Sequence, residues 1–283
     1  MGRPMGNKSR RQSKKGWRTA KSSDINELYE LSVQDPAAEV LLLDQFAKEQ
    51  RGVHLKNIRE DFSGTCAVAF EWVKHRTQNT AWCVDLDTDV LRWAKDRIPE
   101  RLGGDELDRI HFIEGDVLST TTPPVDAVLA TNFSYYIFKK REDLIRYFRH
   151  VHDTLGDDGL FLLDAYGGSD SFLEMTEDRD LDGFTYTWDQ SSYNPITGEV
   201  VNHIHFRFPD GTKIKRAFTY EWRLWTLPEI REALTDAGFT RVAVYWEGSD
   251  EDGDGNGEWS ESSDGEACQG WIAYLVASKG DQT

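Results

Sequence analysis

Apolar positions along the chain fall into two regimes, and the change between them organises everything else. From Ile25 to Gln50 they recur at helical spacing: Leu28, Leu31, Ala38, Val40, Leu41, Leu42 and Phe46 are apolar, with Asp35-Pro36 a break and restart. From Asn57 short apolar runs alternate with helical patterns, the mark of a parallel sheet with helices on both faces. Strands are expected at Ile58–Phe62, Ala81–Leu86, Arg109–Ile113, Asp126–Ala130 and Leu160–Asp164. The helix after the second strand starts at Asp87 or Thr88 and buries Val90, Leu91, Ala94 and Ile98. The helix from Arg141 presents Leu144, Phe148, Val151 and Leu155, and Gly156-Asp-Asp-Gly159 stops it. The pattern then becomes antiparallel, with strands at Phe184–Asp189, Glu199–Phe208 and Lys213–Trp225 joined by the turns Asn194-Pro-Ile-Thr-Gly198 and Pro209-Asp-Gly211. Thr226-Leu-Pro-Glu229 is a capping box that opens a helix closed by Gly238. Arg241–Trp246 and Trp271–Ala277 form a final strand pair, split by the acidic, glycine-rich segment 248–270.

The expectation is an α/β fold: a doubly wound, mostly parallel, Rossmann-like sheet of seven strands with an N-terminal helical lid and an antiparallel β insert. Residues 1–22 read as a disordered basic tail, 23–56 as the lid, and 57–279 as the main domain carrying the insert at 180–225.

Composition narrows the setting. At 283 residues with 39% hydrophobic content the chain can bury one large core. No apolar run approaches bilayer length and no secretory segment is visible. Three cysteines without a CxxC pair point to a reduced, cytoplasmic protein without disulfides. Net charge is −17, although residues 1–21 hold eight Lys/Arg and no acid, so the body is more acidic still. Such a surface repels phosphate, which makes nucleic acid an unlikely partner; the basic tail is the one feature that favours it.

The candidate chemistry centres on Ile58-Arg-Glu-Asp-Phe-Ser-Gly-Thr-Cys66, a strand running into a tight turn and a helix. Uncovered N–H groups gather at such a junction, and Gly64 lets a ligand reach the main chain. Asp85 follows 21 residues after Gly64 at the tip of the next strand. A turn glycine and an acid at this spacing are how a doubly wound fold grips an adenosine ribose, so a nucleotide-type cofactor is expected.

Taken in order, Glu60-Asp-Phe-Ser-Gly-Thr-Cys66, Val84-Asp-Leu-Asp87, Glu114-Gly-Asp-Val117 and Asn132-Phe-Ser134 resemble the motifs of class I S-adenosylmethionine-dependent methyltransferases. The stretch Arg216–Arg231 through Ala237-Gly-Phe239 is similar to the branch acting on small molecules, and the resemblance spans about residues 25–279. It implies S-adenosyl-L-methionine as cofactor and a small-molecule methyl acceptor. Ser63, Gly64 and Thr65 become the loop against the cofactor, and Asp85, beside Leu86, accepts from the ribose hydroxyls. Asp116 takes the adenine amino group while the Val117 N–H meets a ring nitrogen. Glu60, preferred to Asp61 because it shares a face with Ile58 and Phe62, sits near the methionyl ammonium. Asn132 and Phe133 approach the methyl group, and Tyr29 reaches in from the lid. The family usually has Gly where this chain has Phe62 and Cys66, so either the loop is less compact or Phe62 packs on the cofactor.

For catalysis and substrate the candidates are Tyr136, His203 and Arg223. Tyr135 and Tyr136 continue the Asn132 loop, and aromatic density suits a sulfonium, with plain core packing the alternative. His203, His205 and Arg207 share one strand face opposite Asn202, Ile204, Phe206 and Phe208. If that face looks into the site, a histidine could take a proton. Trp222 and Arg223 point to opposite sides, and Arg223 suits a carboxylate substrate. The segment Asp250–Glu261 fits a calcium-loop pattern, but a strand precedes it where a helix is needed, so no metal is expected. The competing readings are a nicotinamide-dependent oxidoreductase, whose GxGxxG is broken by Phe62 and Cys66, an RNA methyltransferase using the tail, and a binding module that never turns over.

Overall fold

The computed structural model describes residues 18–250 and 255–280. The tail expected to be disordered lies mostly outside the described residues. Its last part, 18–22, is packed: Arg18 pairs with Glu27 and stacks on Phe184, and the Ala20 N–H donates to Thr212.

Two helices open the described chain. In α1 (Ile25–Val33) the Asp24 side chain accepts from two backbone N–H groups of the first turn. In α2 (Pro36–Arg51) Asp35 caps, Pro36 takes the first helical position and Gly52 ends the helix in left-handed conformation. The alternating region follows as β1 (Asn57–Asp61), α3 (Ala67–His75), β2 (Thr80–Asp85), α4 (Thr88–Asp96), α5 (Ile98–Arg101), β3 (Ile110–Glu114), β4 (Val125–Ala130), α6 (Arg141–Thr154) and β5 (Leu155–Gly167). Then come β6 (Met175–Leu181), β7 (Phe184–Tyr193), β8 (Glu199–Arg207), β9 (Lys213–Arg223), α7 (Leu227–Ala237), β10 (Arg241–Ser249), β11 (Gly255–Glu261) and β12 (Trp271–Ser278).

The main sheet runs β11-β10-β12-β5-β4-β1-β2-β3, parallel from β5 to β3 and antiparallel beyond. The chain leaves β1 toward β2 and β3, then returns to the other side of β1 as β4. The carboxyl ends of β1 and β4 therefore flank the switch point, where an open α/β sheet binds its ligand. One sheet face packs on α2 and α3 through Ile58, Ala81, Cys83, Leu129 and Leu162, and the other packs on α6 and α7 through Val84, Val128, Phe161 and Leu163.

All ten expected strands are present, seven in the main sheet and three in the insert, and two further strands were not foreseen. β11 adds an eighth at the sheet edge, built from the segment read as an acidic loop, with Trp259 packed on Tyr274 and the Gly257 N–H donating to Glu247. The insert has four strands, β6-β7-β8-β9, because the polar run Met175–Leu181 pairs with β7. The expected helix stop Gly156–Gly159 lies within β5, which shifts register against β4 there. Of the calcium-pattern segment, residues 251–254 are outside the described residues and the remainder is mostly β11.

Beneath the switch point lies a buried ion pair. The Arg59 guanidinium meets Asp61 at 2.8 and 3.0 Å, and the Tyr147 hydroxyl donates to the same carboxylate at 2.9 Å. Removing one partner strands the other charge without water. Asp61→Ala is expected to cost about 3–5 kcal/mol in denaturant-induced unfolding.

Candidate functional site

The loop after β1 keeps a glycine-like path without the glycines. Phe62, Gly64 and Cys66 have φ of 55°, 50° and 58°. Left-handed backbone costs a side-chain-bearing residue roughly 1–2 kcal/mol, so Phe62 and Cys66 hold this shape only because their surroundings fix it. Phe62 does so by packing against Tyr147 and Phe138. Cys66 is fully buried at the start of α3. The loop thus keeps its glycine-like path, which speaks against the looser loop of the two alternatives. A side chain built on Gly64 would meet only the Phe62 carbonyl at 4.0 Å, so open space faces this residue.

The two strand tips meet. The Gly64 N–H donates to Asp85 Oδ2 at 2.7 Å, and Asp85 Oδ1 accepts from the Asp87 N–H at 2.8 Å. Leu86 beside it is 67% exposed, a free apolar face next to the acid. Ser63 is buried and its N–H donates to the Val84 carbonyl, while the Thr65 hydroxyl donates to Gln34, tying the lid to the loop. Asp116 Oδ1 accepts from the Leu118 N–H, shaping the turn after β3 with Val117 buried behind it.

A matching arrangement exists on the other side of the switch point. Asn132 and Phe133, both at φ 58°, donate their N–H groups to the two oxygens of Asp164 at the end of β5. Four of the five non-glycine residues with positive φ in the described chain therefore lie in the two loops that border the crevice. Strain of this kind gathers where a ligand or reaction requires it.

Glu60 is buried at the tip of β1 and accepts from the Ala69 N–H in the first turn of α3. Burial pushes it well above the usual carboxylate range, and Glu39 and Asp85 add repulsion. Glu39, on the first turn of α2, was not foreseen: burial, with Asp164 second, raises it to about 8. Burial raises Asp164 to about 7 against its two backbone donors. The charges acting on Glu39 and Glu60 are all carboxylates. The sequence signal was available, since Glu39 is in helical register with the buried Leu43, Phe46, Ala47 and Gln50 of α2.

Over the crevice lies the aromatic face of the insert. Phe133 packs edge-on to Tyr166 at 4.7 Å and lies against Trp222, Tyr29 lies 5.0 Å from Phe218, and Asn202 donates to the Tyr166 hydroxyl. Trp188, Tyr220 and Trp222 continue this wall. Tyr29 thus lies between lid and insert.

Of the three catalytic candidates, His203 and Arg223 lie off this wall, a correction to their expected place, while Tyr136 packs against it through Phe133, Tyr166 and Trp222. His203 is on the opposite face of β8, bonded to Thr219, while His205 pairs with Asp189 and Arg207 with Asp178. The aromatic face turned inward because it alone could bury against Tyr166 and Phe133, leaving the polar face to find partners across its own sheet. Arg223 stacks on Trp225 and pairs with Glu229 and the Lys139 carbonyl, so Trp222 is the inward member of that pair. Tyr136 is fully buried and its hydroxyl donates to the Trp225 carbonyl at 3.2 Å, which spends its only proton on holding the loop to the β9–α7 junction.

Comparisons with solved structures agree with this architecture. The chain has the fold of class I S-adenosylmethionine-dependent methyltransferases. It is similar to such a methyltransferase from Clostridium acetobutylicum (TM-score 0.65, 17% identity, covering 90% of this chain and 97% of that one). It is also similar to CalS10, an amino pentose methyltransferase from Micromonospora echinaspora (0.64, 13%, 91% and 98%). A third is the sugar N-methyltransferase KedS8 from Streptoalloteichus (0.61, 16%, 99% and 100%). No protein-family model matches the chain, and no curated protein matches it in sequence.

The raised carboxyls fix a sign for stability. An acid whose folded pKa exceeds its unfolded value of about 4 lets the folded state hold the extra proton between the two values, so stability falls as pH rises. For Glu39 that window runs from about pH 4 to about 8, and for Asp164 from about 4 to about 7. Ligand-free melting temperature is expected to drop across pH 5 to 8 and level off above, as thermal denaturation in matched buffers will show.

Proposed function

We propose that the protein is an S-adenosyl-L-methionine-dependent methyltransferase that transfers the methyl group to a nitrogen, oxygen or sulfur atom of a small molecule. The observation that carries this reading is the join between the bare Gly64 loop and Asp85 at the switch point, continued across it by buried carboxylates that have no cation beside them among the described residues. Asp85 keeps acceptor capacity for ribose hydroxyls, with Leu86 beside it for the base and Asp116 and Val117 at the next tip for its edge. Ser63, Gly64 and Thr65 line the approach to the main chain, and Glu60 faces the amino-acid end. A sulfonium and an ammonium complete the charge of an acidic crevice in a way that a dinucleotide, carrying only phosphates there, does not. Tyr29, Phe133 and Trp222 give the sulfonium π density and keep water out.

S-Adenosylmethionine, when bound, supplies an already activated methyl group. What the chain adds is alignment and desolvation: Asp164 holds Asn132 and Phe133 in place, and the lid and insert close over the strand tips. The polar groups of Tyr136, His203 and Arg223 are engaged within the chain, so no proton transfer is assigned to them. An amine acceptor fits best, since the inward wall is aromatic and the floor acidic, and CalS10 and KedS8 are named for amino sugar and sugar nitrogen substrates. The free cysteines Cys66 and Cys83 suit a reduced, cytoplasmic setting, and no helix among the described residues is long and apolar enough to cross a membrane. The acidic body disfavours the RNA-modifying alternative.

Calorimetry with S-adenosylhomocysteine, NAD and ATP tests the cofactor: only the first is expected to bind. Asp85→Ala should weaken it about 10- to 150-fold, the worth of one charge-assisted bond of about 1.5–3 kcal/mol. His203→Gln should leave that affinity within about threefold, because its partners are on the far face of the insert.

A further inference from the structure

Three buried acids border the methyl side of the crevice, and their oxygens are not equally engaged. Asp164 spends both on the Asn132 and Phe133 N–H groups. Glu60 gives one to the start of α3. Glu39, only 9% exposed, has an oxygen, Oε2, that is buried and receives no hydrogen bond among the described residues. A buried carboxylate oxygen without a donor is costly, and native chains keep one where something else supplies the proton.

The groups that face Glu39 come from five elements and its own helix: Asp164 from β5, Glu60 from β1, the Thr131 hydroxyl after β4, Tyr274 from β12, Tyr29 from α1 and Asp35 at the start of α2. None is a cation. Thr131 directly precedes the strained Asn132-Phe133 pair, so Glu39 belongs to the β4–β5 end of the crevice, away from Asp85 and the ribose position. The inward aromatic face of the insert begins beside it, through Tyr29 on Phe218. A free carboxylate oxygen, acidic neighbours and aromatic rings make a receptor for a desolvated alkylammonium.

Resting on the methyltransferase reading, we propose that Glu39 is an ammonium-binding residue of the lid: its free oxygen takes an alkylammonium carried either by the amino-acid end of the cofactor or by an amine acceptor. In the free protein the carboxyl holds a proton up to about pH 8. An ammonium that binds expels this proton to solvent, forming an N–H···O contact to the carboxylate, so affinity rises with pH up to that point and proton release is measurable.

The test uses the full chain and Glu39→Gln, which keeps the shape and removes the charge. Calorimetry at pH 6.5 and 8.5, in buffers of different ionisation enthalpy, compares S-adenosylhomocysteine with 5′-methylthioadenosine, which lacks the amino-acid end. If the cofactor brings the ammonium, the variant binds S-adenosylhomocysteine about 10- to 100-fold more weakly, binds 5′-methylthioadenosine as before, and no longer releases the proton. If the acceptor brings it, both nucleosides bind the variant normally. Propylamine then raises the melting temperature of the S-adenosylhomocysteine-loaded wild type and not of the loaded variant. The proposal is overturned if the variant matches the wild type in every arm. It is also overturned if the variant melts lower and loses both nucleosides alike, the signature of a packing role. Failure of the wild type to bind either nucleoside overturns the methyl-donor reading and this proposal together.

Discussion

A single hydrogen bond, 2.7 Å from the Gly64 N–H to Asp85 Oδ2, couples the tips of β1 and β2 and sets the geometry of the crevice. The loop it restrains passes through the left-handed region at Phe62, Gly64 and Cys66, a path that glycine follows freely and other residues follow only under constraint. The same device recurs across the switch point, where Asp164 from β5 holds Asn132 and Phe133 in that conformation. Each ligand loop is thus pinned by a carboxylate from the neighbouring strand. The acids serve two ends: they shape the backbone, and they line the crevice with carboxyls that a bound cation would ionise.

That carboxyl-lined crevice connects stability with function. Glu39, Glu60 and Asp164 resist ionisation because burial removes water and no partner cation among the described residues replaces it. A scaffold without a ligand gains nothing from such a cluster, and a cationic ligand converts its cost into binding energy. The Arg59–Asp61 pair, buried one layer below with Tyr147, is the contrasting case: its charges are satisfied within the chain, and it is structural.

Much of this was legible in the residues. Helical spacing in 25–50, the strand–helix alternation from Asn57 and the capping box at Thr226 each led to the element found, because each rests on local chemistry. Asp85 and Gly64 were legible as a pair because their spacing reflects one βα unit. The misses have physical causes. β6 and β11 are edge strands made of polar and glycine-rich residues, formed by pairing with β7 and β10 and not by an apolar pattern. His203 and Arg223 sit on strands whose alternation defines two faces without saying which turns inward, and the aromatic face won by burying more apolar area. Glu39 escaped notice because an acid in a helix reads as solvent-facing, although its register placed it among buried positions.

The most direct test of the central claim is a crystal structure of the protein grown with S-adenosylhomocysteine. The account predicts the ribose hydroxyls within hydrogen-bonding distance of Asp85, the main chain at Gly64 against the nucleoside, and the sulfur facing Asn132 and Phe133. A nucleoside seated elsewhere, or an adenosine contacting neither Asp85 nor the Gly64 loop, would contradict it.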